Sequence, residues 1–163
     1  MKSWTIKDIK LYMKHMLLEN TFDLFLLEEA ALNAAMKMEF DGHLYKGFYS
    51  EEELDERLNH GNCILYADVR RIFLEAIKGA TTPESFKFVL KAPREIEMKL
   101  ANESGYNLSE VGGLYINTTF KDQTLTITAG VSLNVFRTDR ELEQNWCDFV
   151  QKFLSRCGFD WSE

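Results

Sequence analysis

Apolar and polar residues alternate from Gly113 to Phe136 with a period of two, the spacing of a half-buried β-strand. With Asp122-Gln123 as a two-residue turn, Phe120 faces Leu125, Thr118 faces Ile127 and Ile116 faces Ala129, so one face of the hairpin is almost wholly apolar. The other face carries Tyr115, Asn117, Thr119, Thr124, Thr126 and Thr128. Gly130 predicts a kink, after which Val131, Leu133 and Val135 extend the alternation into a third strand. The next segment, Asp139 to Arg156, switches to helical spacing. Thr138 and Glu141 form a capping box, and Leu142, Trp146, Phe149, Val150, Phe153, Leu154 and Cys157 make one apolar stripe that ends at Gly158. That stripe is the natural cover for the apolar side of the hairpin.

The earlier chain is read in the same way. Thr5 to about Glu19 predicts a helix capped by Thr5, with Ile9, Tyr12, Met13, Met16 and Leu17 on one face. Between Glu28 and Met38 helix-forming residues conflict with strict alternation, and the alternation of Ala30, Leu32, Ala34, Met36, Met38 and Phe40 predicts a strand. Asp41-Gly42 would then be a hairpin turn, placing His43 opposite Phe40 and Tyr45 opposite Met38. Ser50 with Glu53 opens a helix closing near Leu58, and Leu65 to Lys78 forms another that stops at Gly79. After a loop at Thr81-Thr82-Pro83, Ser85 to Lys91 reads as a strand whose lysines suit an edge. Pro93 starts a helix that ends at Gly105.

These elements predict an α+β fold in one domain spanning 1–163: an antiparallel sheet of hairpins packed against helices, with a long amphipathic C-terminal helix over the sheet. Phe48-Tyr49-Ser50-Glu51-Glu52-Glu53 echoes Phe136-Arg137-Thr138-Asp139-Arg140-Glu141, each after a hairpin and before a helix. Two arrangements therefore fit. One is a sheet gripped by the last helix, resembling helix-grip folds. The other has two pseudo-repeated halves sharing a sheet, resembling the clamp and TATA-binding-protein architecture.

Composition narrows the partners. A net charge of −7 with no clustered basic run disfavours polyanions, and no apolar run is long enough to span a membrane. Three cysteines, Cys63, Cys147 and Cys157, show no CxxC spacing, and no cleavable leader precedes the first helix, so a cytoplasmic protein is expected. Nucleic-acid binding would require Lys87, Lys91, Arg94, Arg70 and Arg71 to converge.

Candidate chemistry is sparse. His15, His43 and His60 fall in separate elements with no metal-ligand spacing, so no metal and no cofactor are expected. His43 at a hairpin end is the one histidine placed to line a pocket mouth. Cys147 and Cys157 lie about 15 Å apart on one helix and cannot pair. No cysteine has the base or lowered pKa of a nucleophile, so no catalytic residue is assigned. Glu28 follows the apolar run Phe25 to Leu27, so a carboxylate turned inward there needs a partner, for which Arg70 or Arg71 is the candidate. Glu28, His43, Arg70 and Arg71 are thus the ligand-binding candidates. The face of Tyr115, Asn117, Thr119, Thr124, Thr126 and Thr128 is either an interaction surface or the solvated side of the sheet.

The series Thr21-Phe22-Asp23-Leu24-Phe25-Leu26-Leu27, Phe40-Asp41-Gly42, Phe48-Tyr49, Lys78-Gly79 with Pro83, Ser85-Phe86-Lys87, Gly113-Leu114-Tyr115 and Thr128-Ala129-Gly130-Val131-Ser132-Leu133 resembles a family of small bacterial cytosolic proteins of unknown function. The resemblance implies strands around Phe40 and Leu114 and a bacterial source. It brings no activity, cofactor or catalytic residue. The leading expectation is a non-enzymatic binding module for a protein partner or a small apolar ligand. The competing one is a hydrolase or transferase with an unfamiliar site, which would need a concave pocket with converging titratable groups.

Overall fold

The computed structural model describes residues 2–79 and 81–163. Its elements run β1 (Lys2–Ile6), α1 (Ile9–Leu17), β2 (Leu26–Asn33), β3 (Lys37–Asp41), α2 (Glu51–Leu58), β4 (Ile64–Leu65), α3 (Tyr66–Ile77), β5 (Ser85–Lys91), α4 (Arg94–Glu103), β6 (Val111–Lys121), β7 (Thr124–Leu133), α5 (Glu141–Arg156) and β8 (Trp161–Ser162). The fold is α+β. Among the described residues the strands form one sheet in the order β3-β2-β5-β6-β7-β1-β8, with β4 pairing the start of β2. Every pairing is antiparallel.

The central hairpin has the register its alternation predicts: Phe120 opposite Leu125, Thr118 opposite Ile127, Ile116 opposite Ala129. Asp122 and Gln123 both take positive φ, 51° and 60°, which matches the right-handed twist of the flanking strands. The apolar side meets α5, whose Leu142, Trp146, Val150 and Leu154 are buried with Ile116, Leu125 and Ile127. Trp146 Nε1 donates to the Tyr115 carbonyl at 3.0 Å, so the ring brings its polar atom into the core with a partner. Tyr12 and Thr118 do the same through a buried 2.7 Å hydroxyl pair.

Several expectations are corrected. Gly130 does not kink a strand or start a third one: β7 runs through it to Leu133, with Gly130 opposite Tyr115. The first predicted helix begins late. Lys2 to Ile6 is a strand between β7 and β8, burying Trp4 and Ile6, and Asp8, not Thr5, caps α1 by accepting from the Leu11 N–H at 3.0 Å. A five-residue alternation is too short to outweigh the helical stripe that follows it. Arg140 rather than Thr138 stands at the N-cap of α5, and no side chain caps it.

Glu28 to Phe40 is not one strand. The turn falls at the exposed Ala34, Ala35 and Met36, so Phe40 lies opposite Ala30 and Met38 opposite Leu32. Asp41-Gly42 is therefore not a hairpin turn, and His43 bridges to Cys63 instead of pairing with Phe40. Ala34, Ala35 and Met36 are helix formers by propensity, and Asn33 before them is the one turn-favouring residue, so little local marked the reversal. Nor is β5 an edge: it lies between β2 and β6, and Lys87 is charged because it sits on the face the helices leave open. The helices that follow the two hairpins are unlike, α5 burying five residues and α2 none.

Strand parity divides the sheet. Leu32, Phe88, Ile116 and Ile127 belong to the main core, packed with α1, α3 and α5. Glu29, Lys87, Asn117 and Thr126 alternate with these along their strands and lie on the opposite, open face.

Candidate functional site

The sheet breaks its regularity at Glu28. Leu27 pairs with Leu90 and Glu29 with Val89, so Glu28 is the extra residue of a β-bulge and faces no partner on β5. On its other side the chain after β3 crosses the bulge. The Gly42 N–H donates to the Glu28 carbonyl at 2.9 Å, and the Ile64 N–H donates to the Gly42 carbonyl at 2.8 Å. No side chain fits at Gly42, since a Cβ there would stand 1.7 Å from the Leu27 carbonyl oxygen. This close crossing brings His43 opposite Cys63 and aims both at Glu28.

Four polar side chains meet there. The Cys63 thiol donates to Glu28 Oε2 at 3.1 Å, while His43 Nε2 lies 3.3 Å from Glu28 Oε1. His43 Nδ1 is 2.6 Å from Asp41 Oδ1, which also accepts the His43 backbone N–H at 3.0 Å. The imidazole is thus held between two carboxylates. The hydrogen bond to Asp41 pushes its pKa above the ordinary histidine value, burial opposes this, and the Glu28 charge adds to it. Burial, then the Glu28 carboxylate, pushes the Cys63 thiol up to about 12. Raised in this way the thiol stays protonated at neutral pH, so Cys63 is no ready nucleophile. Burial, with Glu28 and Glu97 behind it, likewise pushes the Tyr115 phenol up to about 12.

Two cavities adjoin the cluster. On the open face a concavity of about 670 Å³ is lined by the polar Glu28, Glu29, Glu39, Asp41, His43 and Lys87 together with Ala30, Ala31 and Phe40. A second of about 250 Å³ lies behind it against Leu27, Phe40, Ile64, Val69, Ile72 and Phe73. Phe40, Asp41 and His43 line both.

Of the residues singled out from the chain, Glu28 and His43 come together, but the expected arginine partner of Glu28 is elsewhere. Arg70 makes a two-pronged pair with Asp23 at 3.1 and 3.2 Å, and Arg71 is exposed on the same helix beside Leu17 and Leu18. Asn117, Thr119, Thr124, Thr126 and Thr128 share the open face, with Tyr115 at its end towards the bulge. Lys87 is on that face, whereas Arg70 and Arg71 are on the helix packed against the other, so the basic residues do not converge. His15 bonds Thr21 at 2.7 Å and His60 lies 3.4 Å from Glu95. Cys147 is buried in the core under α5. Asp41 and Cys63 were missed: Asp41 stands two residues before His43, a spacing read only as a turn, and Cys63 joins through the bulge and the crossing after it, which leave no short-range signal. Atoms of Glu28, His43 and Cys63 capable of ligating a metal all lie within 4.8 Å of one another, a juxtaposition that the spacing of these residues along the chain does not announce.

A family model matches residues 15–162 and so takes in the bulge, the crossing and every residue of the cluster. The chain belongs to that family. It is a family of unknown function, DUF5721. Comparison with curated proteins and with solved structures finds no match. No helix among the described residues is long and apolar enough to cross a membrane.

Proposed function

We propose that this DUF5721 member binds a small molecule that straddles His43, its apolar part against Phe40, Val69 and Phe73 and its polar part towards Asp41 and Glu28. One observation supports this above the rest: Phe40, Asp41 and His43 form a shared wall between a concavity that holds the carboxylates and Lys87 and a more apolar one. A few convergent polar groups at the mouth of an apolar recess is the usual make-up of a small-molecule site.

The hydrolase or transferase reading attaches to the same place. A histidine oriented by Asp41, with Nε2 beside a second carboxylate, is arranged for proton transfer. The threonine face offers a protein partner no comparable recess.

Native mass spectrometry of protein purified from its source cells, with Val69→Trp alongside, tests the binding reading. Wild type is expected to carry an organic adduct that is lost on denaturing, and Val69→Trp, which fills the recess, is expected to carry none. If wild type carries none, and a fragment screen by ligand-observed NMR finds nothing that Val69→Trp displaces, the reading fails.

A further inference from the structure

The geometry points to a divalent transition-metal site of the zinc class, with Cys63 Sγ, His43 Nε2 and the Glu28 carboxylate as ligands. Three observations carry it.

The distances come close to those of a bound metal. A tetrahedral metal with bonds of about 2.0 Å to N or O and 2.3 Å to S separates its ligand atoms by roughly 3.3 to 3.5 Å. Cys63 Sγ is 3.1 Å from Glu28 Oε2 and His43 Nε2 is 3.3 Å from Glu28 Oε1, the two oxygens of one carboxylate. One ligand atom from each of the three residues lies within 4.8 Å of the others, and a small side-chain adjustment closes the set.

The second observation is how the polar atoms face one another. With His43 Nδ1 held on Asp41 at 2.6 Å, Nε2 is the ring nitrogen turned to the Glu28 carboxylate, and the Cys63 sulfur meets the same carboxylate. A divalent metal neutralises the Glu28 carboxylate and the Cys63 thiolate together. As the S–metal bond forms the S–H bond breaks, and its proton passes to solvent.

Third, the surroundings are those of a supported site. Asp41 on Nδ1 is the outer carboxylate that orients a metal-bound histidine. Cys63 is only 2% exposed, and its backbone is held by the bridge to His43. One sulfur, one imidazole and one carboxylate suit zinc and its neighbours and not magnesium or calcium, which take oxygen. Three protein ligands leave a four-coordinate metal one further position. Glu28 and His43 turn it towards the 670 Å³ concavity, as in sites where a metal takes water or ligand. That this position takes the polar end of the bound molecule, and so selects a metal-coordinating group such as a carboxylate, rests on the binding reading; the three-ligand set does not.

Cobalt(II) is the probe, because a thiolate ligand announces itself by colour. Titration of reduced, chelator-treated protein with Co²⁺ is expected to give one ion per chain, a sulfur-to-cobalt charge-transfer band and the visible bands of a tetrahedral ion, all bleached by Zn²⁺. Cys63→Ser should abolish the charge-transfer band. His43→Ala changes an exposed side chain and leaves the core intact, and should weaken binding at least tenfold. Asp41→Asn should weaken it about 10- to 100-fold while keeping the sulfur band. Cys147→Ser should change nothing. Absence of the sulfur band in wild type, its survival in Cys63→Ser, or unchanged affinity in His43→Ala overturns the site. An organic adduct that Val69→Trp removes, in protein giving no cobalt signature, sinks the metal alone. The full signature in protein that captures no small molecule supports the metal and sinks the binding reading.

Discussion

The hairpins β6–β7 and β2–β3 are built from the same ladder chemistry and serve opposite ends. In β6–β7 the pairing runs from Lys121–Thr124 back to Val111–Leu133, slipping only near Gly112, and α5 buries its apolar side. In β2–β3 five pairs suffice, the turn is exposed, β3 is an outer strand and β2 bulges at Glu28. The long ladder sits in the middle of the sheet, where any distortion would open the core. The short one sits at the rim, where a strand can bulge and a loop can cross it. Irregularity there sets one carboxylate, one imidazole and one thiol face to face. The regular ladder and the polar cluster thus fall in different hairpins of a single sheet.

The largest effect that tests this division is expected in the central hairpin. Trp146→Ala removes a fully buried ring and the hydrogen bond to the Tyr115 carbonyl, and should cost about 3 to 5 kcal/mol. Met38→Ala in the outer hairpin, half-buried, should cost about 1 kcal/mol. Urea denaturation of both variants compares the two directly, and equal losses would break the comparison.

A smaller loss with a larger local consequence is expected at Gly42. The Cβ of Gly42→Ala would meet the rigid Leu27 carbonyl, so the crossing must lift off the bulge. A cost of about 1 to 3 kcal/mol is expected, together with loss of the cobalt–thiolate band. Retention of the band would show that the crossing does not assemble the cluster.

The subtlest test lies between the hairpins. Glu97 is buried, its carboxylate accepts the Leu114 N–H of β6 at 3.4 Å, and its charge is felt at Tyr115 beside the bulge. Burial, opposed by Lys91 and by that hydrogen bond, raises its pKa above the ordinary 4.5. A raised carboxyl contributes stability that is complete below the unfolded value and is lost as pH rises through the folded one. Glu97→Gln has no such loss, so its stability relative to wild type should increase from acid to neutral pH. Urea midpoints taken below and above the carboxylate range check the sign, and a difference independent of pH would remove Glu97 from the account.

Legibility in the chain followed the same division. The central hairpin could be read to the residue because alternation, turn and cover agreed: Phe120, Thr118 and Ile116 face the partners their spacing names. In the outer hairpin Ala34, Ala35 and Met36 fit a strand, a helix or a turn, so alternation carried the expected strand past its true reversal. Lys87 and Lys91 suggested an edge, but charge on a strand reports which face meets water and not how many neighbours the strand has. Glu28 was marked by its position after Phe25 to Leu27 as a carboxylate in need of a partner, and His43 as a residue at a pocket mouth. Asp41 carried only a turn signal and Cys63 no signal at all.

By itself, then, the amino-acid sequence determined what depends on neighbours within a turn or a strand: the alternation of β6 and β7, the stripe of α5, the Ser50 cap and the breaks at Gly79 and Gly158. Tertiary structure alone decided which strand lay at the edge, that Lys2 to Ile6 would join the sheet, and that Cys63, 35 residues from Glu28, would give it a hydrogen bond. The physical reason is range. Side-chain spacing along a helix or strand is imposed by backbone geometry, whereas a bulge and a loop crossing over it are placed by the packing of the whole sheet.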